Sequence, residues 1–301
     1  MSARQRDRVE VDLGIVAGIS DRGCLHERNE DALALRDVNA GCEAPPGATA
    51  VAVVCDGVSL SARPDEASQT AAEVAAESLV AALRAEDSPV TATRAAIHAA
   101  DRAVSGMADP DPDPDDAGSA GSHGAAPACT FVSAIVTGDA VTVGWVGDSR
   151  AYWIPQARTG SPPARLTRDD SWLTQVVAAG TMSLAQAAAD RRAHAITAWL
   201  GEDADRIDPH VVTIEPEGPG VVVVCTDGLW NYLDTVEELV AALPAHAFDA
   251  PFEAARQLVE VALHRGGRDN VTVAVVPFGG HRNGPLRGPV IIAGSSSGEL
   301  P

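Results

Sequence analysis

The sequence predicts an α+β layered fold, because β-type runs follow one another in groups while the long helical patterns come as a pair. No break in composition divides the 301 residues into two cores, so one large domain is expected. Hydrophobic residues make up 46% of the chain at near-zero mean hydropathy, enough for a sizeable core in a water-soluble protein.

Strands are expected over residues 11–20, 32–38, 49–56, 129–137, 140–146, 150–154, 209–214, 221–225 and 271–277, where β-branched residues cluster between turn formers. Gly138-Asp139 reads as a tight hairpin between two of them. Alanine-rich helices are expected over 65–84 and 89–107, the second with Ser88 as cap and Pro89 in its first turn. Thr235 and Glu238 form a capping-box pattern, and Pro251 opens a last helix reaching about His264. Residues 109–126 combine repeated Asp-Pro with glycine and are expected to be a mobile acidic loop. The Gly/Ser/Pro-rich residues 279–301 are expected to be a disordered tail, leaving 1–278 as the domain.

Forty-two acidic residues face 22 basic ones, a net charge of −20 that excludes nucleic acid or anionic membrane as the main partner. All 22 basic residues are arginine, which excludes Schiff-base lysines and lysine-dependent phosphate loops. No apolar run approaches the roughly 20 residues of a membrane span, and the charged N-terminus has no apolar stretch behind it, so no signal peptide is expected. Cys24, Cys42, Cys55, Cys129 and Cys225 are odd in number and scattered, as reduced thiols of a cytoplasmic protein would be.

The informative feature is where the aspartates fall. Four apolar runs each meet an aspartate next to glycine or asparagine: Asp56-Gly57, Gly147-Asp148, Asp227-Gly228 and Asp269-Asn270. Glu30-Asp31 adds an acidic pair just before another strand. Like charges cannot converge at the ends of buried strands unless cations neutralise them, and ligands that are all oxygen suit Mg²⁺ or Mn²⁺. Two such ions about 4 Å apart would lower the pKa of a shared water and supply hydroxide for in-line attack on a phosphoester. A lone Asp-Gly is usually only a turn former, so the expectation rests on recurrence in order. Cys55 and Cys225 lie near these aspartates but read as small core fillers, and Asn270-Val271-Thr272 reads as a structural turn into a strand.

Six motifs occur in order: Arg28-Asn29-Glu30-Asp31, Asp56-Gly57, Gly147-Asp148-Ser149-Arg150, Leu166 to Ser171, Thr226-Asp227-Gly228-Leu229-Trp230, and Gly267-Arg268-Asp269-Asn270. Together they closely resemble the PPM family, the type 2C metal-dependent Ser/Thr protein phosphatases of bacteria. The resemblance implies a four-layer α-β-β-α sandwich of two antiparallel sheets flanked by helix pairs, with a metal centre at one edge. It implies that Asp56 bridges two Mn²⁺ or Mg²⁺ ions, that Asp227 and Asp269 complete the first site, and that the Gly57 carbonyl serves the second. Glu30 and Asp31 would act largely through water on the ions, with Asp31 counted among the catalytic groups. Asp148, with Asp227, matches the place of a third, weaker ion. Asp169 to Ser171 would open a flap that ends near residues 195–201.

Two departures stand out. Relatives usually carry a phosphate-binding arginine where this chain has His26, and imidazole binds phosphate well only when protonated. Arg28 or Arg22 is the candidate substitute. Many relatives also place a histidine, proposed as general acid, after Asp-Gly, where this chain continues with Val58-Ser59-Leu60. The function expected is hydrolysis of phosphoserine and phosphothreonine in cytosolic phosphoproteins, opposing a bacterial Ser/Thr kinase, by a monomer. Two alternatives remain open: a phosphatase of an anti-sigma-factor antagonist, and a catalytically impaired relative that binds phosphoproteins as a scaffold.

Overall fold

A computed structural model describes residues 7–40, 49–108, 126–156, 162–204 and 207–279. The expected acidic loop, apart from Ala126, and the tail beyond Gly279 lie outside the described residues, as does Cys42.

The elements run β1 (Arg8–Asp12), β2 (Ala17–Asp21), β3 (Asp31–Asp37), β4 (Ala50–Asp56), α1 (Pro64–Arg84), α2 (Pro89–Ser105), β5 (Phe131–Val136), β6 (Val141–Val146) and β7 (Arg150–Pro155). They continue with β8 (Ala164–Arg165), α3 (Trp172–Ala178), α4 (Leu184–Ala188), β9 (His210–Ile214), β10 (Gly220–Cys225), α5 (Asp227–Trp230), α6 (Val236–Ala242), α7 (Pro251–His264) and β11 (Val271–Phe278). One sheet has the order β1-β2-β11-β10-β7-β8 and the other β3-β4-β5-β6-β9, and every pairing is antiparallel.

Central strands such as β5, β6 and β10 are buried at every position, which explains their unbroken apolar runs. Alternate residues of β10 serve two cores. Val222 and Val224 pack between the sheets with Val54, Val132, Val143 and Trp153, while Val221, Val223 and Cys225 meet α5, α6 and α7 through Leu229, Leu239 and Leu258. On the far side Val51, Val53, Phe131 and Ile135 meet Ala71, Ala75 and Leu79 of α1 and Ile97 of α2. The result is the expected four-layer sandwich. Alanine lets the helices sit close, and Gly144 does the same from the sheet, since a Cβ there would lie 2.2 Å from a methyl of Thr93.

The helix ends follow their sequence signals. Ser88 accepts from the Thr91 backbone N–H at 3.2 Å, and Thr235 and Glu238 close a capping box. One expectation is corrected: residues 11–20 are not one strand. The side chain of Asp12 accepts from the Gly14 N–H at 2.8 Å, Gly14 adopts φ 77°, and the chain reverses there to give the β1–β2 hairpin. β8 and the short α3, α4 and α5 were not anticipated.

Leu79 is fully buried between α1 and its neighbours. Leu79→Ala is therefore expected to lower unfolding free energy by about 3 kcal/mol, read from urea denaturation; an unshifted midpoint would contradict this packing.

Candidate active site

Both sheets present the same end to one region. Asp56 ends β4, Asp31 opens β3 directly opposite it in the ladder, Asp148 follows β6, Asp227 follows β10, and Asp269 precedes β11. Antiparallel pairing makes these strand ends neighbours although they are far apart in sequence.

Two glycines make the approach possible. A Cβ on Gly228 would lie 1.8 Å from the Asn270 carbonyl oxygen, so only glycine lets the start of α5, with Asp227, sit against the start of β11. A Cβ on Gly57 would lie 2.5 Å from the Pro64 carbonyl and 2.7 Å from that of Glu30. Gly57 donates its N–H to that Glu30 carbonyl at 3.1 Å.

The carboxylates feel one another. Burial pushes the Asp31 pKa up to about 8 against the lowering effect of the Thr272 and Thr226 hydroxyls, and Asp227 and Asp269 add a smaller repulsion. Asp56 is raised well above the carboxylate range by burial and then by Asp31, Asp227, Asp148 and Asp269. Burial and the charges of Asp227 and Asp169 bring Asp148 to about 7. Asp227 reaches about 6 through burial and Asp269, moderated by hydrogen bonds from Asn231 and Asp56. Arg150 favours ionisation of both Asp148 and Asp227.

Every expected site residue can be placed. Asp31 Oδ2 accepts from Thr226 Oγ1 at 2.8 Å and Thr272 Oγ1 at 2.7 Å. Glu30 is buried and accepts from Ser59 Oγ at 2.7 Å, with the Arg28 Nε 3.6 Å from its other oxygen. Arg28 is 62% exposed and also reaches Asp65 at 3.4 Å, so its guanidinium lies at the rim. His26 Nε2 lies 3.1 Å from Asp269 Oδ1, which turns the imidazole toward an expected metal ligand. Val58 donates its N–H to the Ala128 carbonyl, and its side chain has no proton to give. A cleft of about 300 Å³ lined by Val146, Asp170, Thr197, Trp199 and His210 includes none of the clustered carboxylates.

Several residues do more than the motifs revealed. Asn270 accepts from the Glu30 N–H at 2.7 Å and donates to the carbonyls of Arg22 (2.7 Å) and Arg28 (3.1 Å), pinning the loop that carries His26. Thr226 and Thr272 are fully buried. A hydroxyl inside an apolar strand, as at Thr272, or just past one, as at Thr226, signals a buried acceptor, and that signal was legible in the sequence.

Among the described residues no three His, Cys, Asp or Glu side chains close onto a point as a ready metal cage. The donor chemistry nevertheless fits a hard cation: the oxygens are carboxylate and carbonyl, Arg150 offsets the crowding of Asp148 and Asp227 in part, and Mg²⁺-like ions bind through one or two carboxylates with water completing the shell. Thiols are unsuited to compete, since burial pushes Cys225 up to about 12.

Residues 26–261 match the family model described as Protein phosphatase 2C, and the chain belongs to that family. Over 290 residues it is 26% identical to the Ser/Thr protein phosphatase PstP of Mycobacterium tuberculosis, covering 94% of this chain and 48% of PstP. The chain thus spans about half the length of that curated relative. The fold matches a crystal structure of a bacterial serine phosphatase at TM-score 0.65 and 21% identity, covering 89% of this chain and 98% of the other. It also matches the catalytic domain of PstP in complex with two manganese ions at TM-score 0.58 and 25% identity, covering 90% and 99%.

A pH dependence follows from the raised carboxyl pKa values. Folded Asp31, Asp148 and Asp227 keep protons that the unfolded chain releases above about pH 4, so unfolding releases protons and stability falls as pH rises through this range toward about 8. In chelator, the urea midpoint should be lower at pH 8 than at pH 5, and Asp31→Asn should flatten the slope. Equal midpoints for the unaltered chain would remove the electrostatic picture.

Proposed function

We propose that this chain hydrolyses phosphoserine and phosphothreonine in cytosolic proteins with Mn²⁺ or Mg²⁺, opposing a bacterial Ser/Thr kinase. The reading is carried by five carboxylates gathered where the two sheets present the same end, with burial and neighbouring carboxylates raising the pKa values of Asp31, Asp56, Asp148 and Asp227, in the order of the family's motifs. The two manganese ions of the related PstP domain support a divalent cofactor. Free thiols at Cys24, Cys55, Cys129 and Cys225 support a reducing compartment, and residues 1–278 would act as one catalytic unit and a monomer.

In this reading Asp56, Asp227 and Asp269 would hold one ion, Asp56 with the Gly57 carbonyl and, through water, Glu30 would hold a second, and Asp148 with Asp227 would hold a third. When bound, the ions make water a nucleophile near neutral pH and offset charge on the phosphoryl oxygens. Thr226 and Thr272 fix Asp31 through Oδ2, which leaves Oδ1 as the atom placed to hold or pass a proton. Arg28, exposed at the rim, offers a phosphate contact whose charge does not depend on pH. His26 can add a second contact only while protonated, and Asp269 holds it in place. With Val58 after Gly57, water is the proton donor to the leaving alkoxide. Val58 also favours a second reading, an impaired relative that binds phosphoproteins without hydrolysing them.

A metal-titrated assay on p-nitrophenyl phosphate and a phosphothreonine peptide separates the two readings. Activity should appear with Mn²⁺ and vanish on chelation, and Asp56→Asn should lower turnover by on the order of 10³ or more with the fold retained; binding without turnover would select the scaffold reading. For His26→Arg, KM should fall most at pH 8 and lose most of its pH dependence, with a smaller change in kcat. A KM unchanged between pH 6 and 8.5 in His26→Ala would make His26 a bystander.

A further inference from the structure

The turn that carries Asp148 is gripped from two sides. On one side is the segment leading into the flap. Asp170 accepts from the Gly147 N–H through Oδ2 at 3.0 Å, and its own N–H returns to the Gly147 carbonyl at 2.9 Å. Asp169 takes the Arg150 guanidinium in a two-point bond, Nε at 3.0 Å and Nη2 at 2.8 Å. On the other side stands Trp230, whose Nε1–H donates to the Asp148 carbonyl at 3.0 Å. The buried Arg150 guanidinium lies over the Trp230 ring, 3.6 Å from its centroid, and its Nη1 is 3.6 Å from Asp234.

Trp230 is the last residue of α5 and Asp227 the first, so the indole sits one helical turn from that carboxylate. The Asp148 turn and the helix bearing Asp227 are therefore joined by one hydrogen bond and one stacked cation. A stack of planar guanidinium on indole, with a two-point carboxylate behind it, fixes direction as well as distance. Lysine offers neither the plane nor the fork.

We infer that Arg150 and Trp230 act as a positioning pair that sets the Asp148 carboxylate against Asp227, with Asp169 holding Arg150 in place. Their role is to position Asp148 and not to contact substrate. The inference rests on the metal reading above, because its consequence is selective: the ion that needs Asp148 depends on the pair, whereas the ions that Asp56, Asp227 and Asp269 would hold without Asp148 do not. A merely structural role would weaken all sites alike or none.

The test is calorimetric titration of Mn²⁺ into the full chain and into Trp230→Phe, Arg150→Lys and the double variant, each checked by the thermal melt of the chelated protein. Trp230→Phe keeps a ring and deletes the N–H, so it carries the test alone if Arg150→Lys folds poorly. The weakest manganese site should lose at least about fivefold in affinity, the energy of one hydrogen bond, in each single variant while the tighter sites stay within about twofold. The double variant should be little worse than either single one, since the two side chains act as a unit. Variant isotherms superimposed on that of the unaltered chain, or a uniform loss at every site, overturn the positioning role alone. An unaltered chain that binds no manganese overturns the metal reading and this inference with it.

Discussion

Mutual repulsion among carboxylates is the constraint around which this molecule is organised. The charges of Asp31, Asp148, Asp227 and Asp269 each raise the proton affinity of at least one neighbour in the cluster, Asp56 most widely, and the chain holds the five together because they stand at the ends of strands that cannot retreat. β4, β6 and β10 are sealed on both faces, so moving a terminal aspartate outward would drag valines out of two cores at once. Hydrophobic burial thus holds an electrostatically unfavourable arrangement in place, and a bound cation would turn it into a favourable one.

The surrounding polar groups serve the same end. Thr226, Thr272, Ser20 and Asn29 form a hydrogen-bonded chain behind Asp31. Thr130 links the Asp56 N–H to the Ser149 hydroxyl, tying the β4 end to the turn after β6. These bonds join the two sheets at the end where the charges meet. A satisfied network of this kind rigidifies a site, and a half-satisfied one would be costly.

How much of this could be read from the sequence depended on the range of the interaction. The buried strands, the Ser88 and Thr235 caps and the Pro251 start were legible because apolar runs and caps are local signals. The β1–β2 reversal was missed because alternation continues across Asp12-Leu13-Gly14, and a single Asp-x-Gly was outweighed by the valines around it. Ser183 and Gln186, a capping box ahead of α4, carried a usable local signal that the lack of a clear apolar period obscured. For the site, ordered motifs located the carboxylates, but the pairing of His26 with Asp269, the grip of Asn270 on the loop before β3 and the stacking of Arg150 on Trp230 all join distant segments. No local pattern encodes which guanidinium meets which ring.

The bond from the Glu30 N–H to Asn270 spans 240 residues of chain, and β11 lies between β2 and β10 in the sheet. As the polypeptide leaves the ribosome, β2 and β10 therefore emerge before the strand that separates them. Until Asn270 is made, the loop carrying His26 and Arg28 lacks its anchor, and Asp227 lacks the backbone against which Gly228 lets it rest. Contacts of such long sequence separation form late and slowly. The half-made protein thus displays acids and arginines in the crowded surroundings of synthesis, but the strand that brings the carboxylates together is delivered after the other described strands of both sheets.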